Sequence, residues 1–208
     1  MFSFLNKKKA ADTSAKWTFG TMLAFGVIGL IVSFILSVEE VRLIQNPNTI
    51  LSCSINLVLD CSTVMQTWQA RVFGFPNMLI GLMGYPVVIT TAVVALTKAR
   101  KYLPRAFWVA ANVCYGLGAV FAYWLFFQSV YAIQVLCPWC LVITFSTTIL
   151  LATVTHYNLR ENVFGLSKAA SEKVSIFLAE DYDKVLTAGW IVLLAILVFL
   201  KFGESLFA

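Results

Sequence analysis

The stretch CPWC, Cys137 to Cys140, lies inside a run from Ala106 to Leu159 that contains no Asp, Glu, Lys or Arg. That run is too long for one membrane helix of about 20 apolar residues and suits two helices joined by a short turn. Gln128, Ser129, Gln134 and Pro138 place the turn around 128–136. One span is therefore predicted over 107–127, and the next begins at Pro138, which fits the first helical turn because its missing N–H would be unsatisfied there in any case. Working outward, Trp17 to Val38 is uncharged and makes a first span. No charge appears between Arg71 and Lys98, and Pro76 with Asn77 opens a second span over 77–97. Val185 to Leu200 is a short fifth span that borrows Phe202 and a snorkelling Lys201.

The whole composition agrees with this pattern. Of the 208 residues 60% are hydrophobic and only 12% charged, with a mean hydropathy of +0.85, against about 25% charged in a soluble domain. The chain reads as an all-α integral membrane protein. A pI near 9.0 is compatible with nucleic-acid binding, but the basic residues flank apolar spans and form no groove, which argues against it. Lys7, Lys8, Lys9 and Lys16 imitate the start of a signal peptide. The apolar segment behind them exceeds the usual ~7–15 residues and has no small-residue cleavage site, so it is expected to remain as an anchor.

Orientation follows the Lys and Arg balance of the short loops. The N-terminal tail, the loop with Lys98, Arg100, Lys101 and Arg105, and the segment with Arg160, Lys168, Lys173 and Lys184 hold twelve of the fifteen basic residues. These are predicted to be cytoplasmic. The loop from Glu39 to Pro76, with Cys53 and Cys61, then faces outside together with CPWC, where disulfides persist. The segment from Asn162 to Lys184 reads as a solvated, helix-compatible connector, and no second soluble domain is expected.

A Cys-x-x-Cys pair at a helix start has three readings. The helix N-terminus favours thiolate, and positions i and i+3 are neighbours, which suits a redox couple. A zinc site would need two more ligands. The only histidine, His156, is sixteen residues past Cys140, roughly 24 Å along a helix, and four-cysteine coordination with Cys53 and Cys61 stays open. Two structural disulfides are the third reading. The seven residues between Cys53 and Cys61 allow a disulfide loop on the same side as CPWC, and two pairs so placed make a two-stage electron path. After Cys61, residues Val64, Met65, Trp68 and Val72 fall on one face of a short helix, with Ser62 or Thr63 as its cap and Trp68 at headgroup level. Cys137, Cys140, Thr144 and Thr148 form a small polar stripe, a pattern more common in helix packing than in ligand sites. Phe121, Tyr123, Trp124, Phe126 and Phe127 are candidate walls of a ring site. Cys114 has no mate and reads as a buried small residue.

CSINLVLDC, FPNMLIG and LCPWC in this order resemble the vitamin K epoxide reductase family, in particular its bacterial disulfide-forming members, over about 17–155. The resemblance implies a four-helix bundle around a quinone (menaquinone or ubiquinone) over 1–159, with a connector and fifth helix over 160–208. It implies a bacterial inner-membrane oxidoreductase that uses no metal and supports disulfide formation. Its implied partner is a separate DsbA-like protein with a thioredoxin fold, since this chain ends at Ala208 without a fused one. By position, Cys140 is implied as the thiol beside quinone, released as a thiolate at the helix N-terminus. Cys137 exchanges with Cys61, and Cys53 meets the partner. Asn77 corresponds to the family asparagine that hydrogen-bonds a quinone carbonyl, Thr67 stands where a serine is usual, and Thr144 is implied near the ring, for which Trp139, like the aromatic run, is a candidate wall. Met65 and Thr144 depart from the vertebrate members, which carry aromatic residues there. The alternatives are reduction of vitamin K epoxide or quinone for its own sake, and a non-enzymatic protein stapled by disulfides.

Overall fold

The computed structural model describes residues 2–206, with side chains described over 15–203. The first helix, α1 (Phe2–Gln45), includes a span from Ala15 to Gln45 and runs seven residues past the predicted end at Val38. The expectation that Glu39 and Glu40 would end it fails because both carboxylates are buried and partnered. Glu39 accepts the Ser52 N–H at 3.4 Å and pairs with Arg42, and Glu40 meets Arg71 at 2.5 Å. With their charges answered, the helix-compatible sequence EEVRLIQ continues for two more turns.

A short helix, α2 (Cys61–Met65), and a 3-10 turn over Trp68–Arg71 follow in the loop. The cap of α2 is Asp60, not Ser62 or Thr63, because the helix starts at Cys61 and the capping position falls one residue earlier. The predicted apolar face also breaks. The helix stops before Trp68, so Met65 is buried while Trp68 and Val72 point outward. Trp68 lies 6.0 Å from Trp124, and Phe73 5.4 Å from Phe121.

Three spans follow near their predicted bounds: α3 (Met78–Leu96), α4 (Arg105–Phe127) and α5 (Pro138–Arg160). The turn expected around 128–136 is instead a π-helical continuation over Gln128–Ile133, ended by Gln134 in the left-handed region at φ 59°. The connector contains α6 (Lys168–Ala179), and α7 (Tyr182–Leu206) is longer than the predicted fifth span. Among the described residues, five helices are long and apolar enough to cross a membrane, and this is a multi-pass membrane protein.

The bundle is assembled by α1 against α3 and α5, and by α4 against α5, while α7 packs on α5. At one end Phe19, Trp108 and Tyr157 interlock with ring centroids 4.5–5.6 Å apart. Asn158, fully buried there, donates to the Trp108 carbonyl at 2.9 Å and to Asn112 Oδ1 at 3.0 Å. Where α1 meets α3, a Cβ on Gly29 would overlap the Tyr85 ring, so glycine permits that approach. His156 makes a 2.6 Å contact with Asp183 of α7 at the end away from CPWC.

Candidate functional site: two cysteine pairs above an apolar cavity

The cysteine end is organised by a small piece of backbone pairing. Leu59 and Leu136 form a parallel bridge, in which Leu136 N–H donates to the Val58 carbonyl at 2.8 Å and Asp60 N–H to the Leu136 carbonyl at 3.0 Å. This joins the loop to the segment just before CPWC. The loop folds tightly behind it: Asn56 Oδ1 accepts the N–H groups of Val58 and Leu59, and Cys53 and Cys61 form a disulfide.

Asp60 holds the other side. Its carboxylate accepts the N–H groups of Ser62 and Thr63 at 3.0 and 3.2 Å and the hydroxyls of both, with a further hydroxyl contact from Ser54. Partial burial by itself would raise the Asp60 carboxyl, but the hydrogen bonds from Ser54, Thr63 and Ser62 outweigh it and hold the group down at about 2.

These constraints bring three sulfurs together. Cys61 Sγ, bonded to Cys53, lies 3.3 Å from Cys137 Sγ. Cys53, Cys61 and Cys137 are each at most 2% exposed. Cys137 and Cys140 are free thiols. The sequence left the helix-terminal contact open between Cys137 and Cys140; Cys137 is the residue before the first turn, and its sulfur accepts the Cys140 N–H at 3.2 Å. The helix N-terminus therefore acts on the sulfur that faces the loop.

Behind Cys140 is a cavity of about 420 Å³ between α1, α3, α4 and α5, roofed by the loop and almost wholly apolar. Cys137, Cys140, Asn77 and Thr144 all line it. Asn77 Nδ2 donates to the Gln69 carbonyl at 2.6 Å, while Asn77 Oδ1 is buried without a partner. Asn77 stands at the N-cap position of α3 but makes no side-chain cap bond, which leaves its amide to the cavity. The Thr144 hydroxyl donates to the Cys140 carbonyl at 2.9 Å. Thr67 and Trp139 do not line the cavity. The Thr67 hydroxyl turns back to the Val64 carbonyl at 2.7 Å and faces an open groove with Trp68 and Arg71. Trp139 packs into the cluster formed by Val32, Leu36 and the cysteines. Of the aromatic run, Phe121 and Phe126 reach the cavity, whereas Tyr123 turns away and bonds Thr148 at 2.6 Å.

Tyr85, Gln69 and Ser33 also line the cavity and escaped the sequence reading. The one visible signal was a tyrosine inside an apolar span for Tyr85, whose hydroxyl lies 3.1 Å from Thr147 Oγ1. Among the described residues no group of three or more His, Cys, Asp or Glu side chains is arranged to hold a metal.

A disulfide in sulfur contact with a thiol, set over an apolar cavity in a membrane bundle, has the layout of a thiol-disulfide exchange centre. Residues 21–155 match the family model of the vitamin K epoxide reductase family. The chain belongs to that family. It is accordingly a membrane oxidoreductase, of a family that in general uses quinone and thioredoxin-like partners. No curated protein and no solved structure matches the chain. The residues of this family member fit a quinone: the cavity is apolar, its outer end carries the thiols, and it contains an unpartnered buried amide oxygen.

Proposed function

We propose that this protein passes electrons from an external thioredoxin-fold thiol partner to a membrane quinone, menaquinone or ubiquinone, and so supports disulfide formation outside a bacterial plasma membrane. The observation that carries this reading is the 3.3 Å contact between Cys61 and Cys137, with the cavity directly behind Cys140.

The exchange begins when the reduced partner attacks Cys53 of the loop disulfide. The partner leaves oxidised, and Cys53 and Cys61 become thiols. The Cys61 thiolate then attacks Cys137 of a Cys137–Cys140 disulfide, forming the Cys61–Cys137 bond and releasing Cys140 as thiolate. Cys53 attacks Cys61, which restores the loop disulfide and frees Cys137. The product has a loop disulfide and two CPWC thiols, the same arrangement of sulfurs described above. In this last step the Cys140 N–H, 3.2 Å from Cys137 Sγ, holds the departing sulfur in place against the loop.

Quinone supplies an acceptor for two electrons and two protons, which returns Cys137 and Cys140 to the disulfide. Asn77 suits both forms of such a ligand. Its second amide N–H can donate to a carbonyl oxygen, and Oδ1 can accept from a hydroxyl. Thr144 faces the same space from α5. The cavity lining has no Asp, Glu, Lys, Arg or His, so protons are taken up at the cysteine end.

The test is anaerobic mixing of the fully reduced protein with quinones while thiol loss is followed spectroscopically. The wild type is expected to lose thiols in step with quinone reduction. Cys140→Ala is expected to stop this, with its remaining thiols and the quinone left unchanged. Failure of every quinone to oxidise the wild type would sink the proposal.

A further inference from the structure

Hydroxyl groups in the spanning helices are mostly satisfied by their own helix. Ser37, Thr91, Thr144 and Thr148 each donate to the carbonyl four residues back at 2.7–2.9 Å, the usual solution in an apolar medium. Ser33 departs from it. It is 0% exposed, it lines the cavity from α1, and its Oγ has no hydrogen-bond partner. Such a group is costly in an apolar interior unless a ligand completes it.

Two further features bear on what that ligand is. A Cβ on Gly81 of α3 would overlap Ser33 Oγ, so glycine at 81 leaves the hydroxyl its space. The cavity's other unpartnered polar atom is Asn77 Oδ1, four residues before Gly81 on the α3 side and roughly 6 Å nearer the cysteine end than Gly81 by helical rise. The cavity thus offers hydrogen-bonding groups at two depths and on two walls, with an apolar lining between them.

The geometry points to Ser33 as the second polar anchor of the acceptor site, donating to the ring oxygen opposite the one held at Asn77. This rests on the reading of the cavity as a quinone site and deepens it: the site selects a flat ring with two opposed oxygens. The competing role for Ser33 is as a small residue that lets α1 approach α3. Ser33→Ala separates the two because it keeps the small volume and removes only the hydroxyl.

The test uses the fully oxidised protein, which cannot turn over, titrated in micelles with a 1,4-naphthoquinone. Binding is read by tryptophan quenching, and the carbonyl stretches of the bound ring by infrared difference spectroscopy. In the wild type both carbonyl bands are expected below those of free quinone. Ser33→Ala is expected to weaken Kd about three- to tenfold, the effect of one neutral hydrogen bond, and to return one band to its free position. Ser37→Ala, which removes a hydroxyl bonded within its own helix, should bind as wild type. An unchanged Ser33→Ala overturns the proposal while leaving the quinone reading intact, and so does a single shifted band in the wild type, a result that needs no variant. Failure of the wild type to bind overturns both.

Discussion

The two ends of the bundle are held by different means. Around Phe19, Trp108 and Tyr157, three rings and a buried Asn158 fill the space between α1, α4 and α5. Around Cys61 and Cys137 the same helices spread over a cavity, and order comes from one backbone bridge, one capping carboxylate and two buried glutamates. Ring packing has no separate parts that can be released one at a time. A set of discrete polar pins does, which suits the disulfide exchange proposed for this centre. Stability is then expected to come from one end and chemistry from the other, and each variant below tests that division.

The largest effect is expected for Cys137→Ser, which removes the sulfur that touches both the loop and the CPWC partner. Quinone-linked thiol oxidation should fall by about a thousandfold or more, with thermal unfolding in micelles little changed. A large loss of stability with retained turnover would break the division. Phe19→Ala, at a side chain with 0% exposure, should do the reverse. It should destabilise by about 2 kcal/mol or more, as large-to-small core changes do, and leave quinone affinity within about twofold.

Asp60→Ala sits between these extremes. Loss of a helix cap is worth about 1 kcal/mol, and here the cap adjoins Cys61. The expected result is a loop disulfide that a phosphine reductant opens about fivefold faster, with global unfolding nearly unmoved. The smallest effect is its pH counterpart. Asp60 has a folded pKa of about 2, below its ordinary 3.8, so its contribution is fully present above about pH 4 and is lost as pH falls through 2. Loop reduction should quicken in that acid window in the wild type and show no such step in Asp60→Asn.

The spans from 78 to 160 were legible because charges bound them and apolar runs fill them. Glu39 and Glu40 misled because a carboxylate reads as a helix end, and only the fold reveals that Ser52 and Arg71 answer them. The cysteine pairs were visible as spacings, and their proximity was not. It depends on the Leu59–Leu136 bridge, a single backbone pairing with no residue preference of its own. Thr67 was placed by analogy of position, and the break of the loop helix before Trp68 directs it outward, while Trp139 was placed for its aromatic ring. Ser33 and Gln69 were silent for a different reason. A serine in an apolar helix or a glutamine in a loop gains meaning only from the face it turns inward.

That bridge also sets a rule for insertions and deletions. Strand pairing alternates sides at every residue, and only Asp60 separates Leu59 from Cys61 on the loop side, while Cys137 directly follows Leu136. Adding one residue after Leu59 would turn Cys61 away from Cys137 even with every side chain preserved. Residues 54–57 lie on the far side of the pairing and inside the disulfide ring, where a change of length leaves the register intact. The chain can therefore vary the outer rim of this loop while the contact between its two sulfur pairs stays fixed.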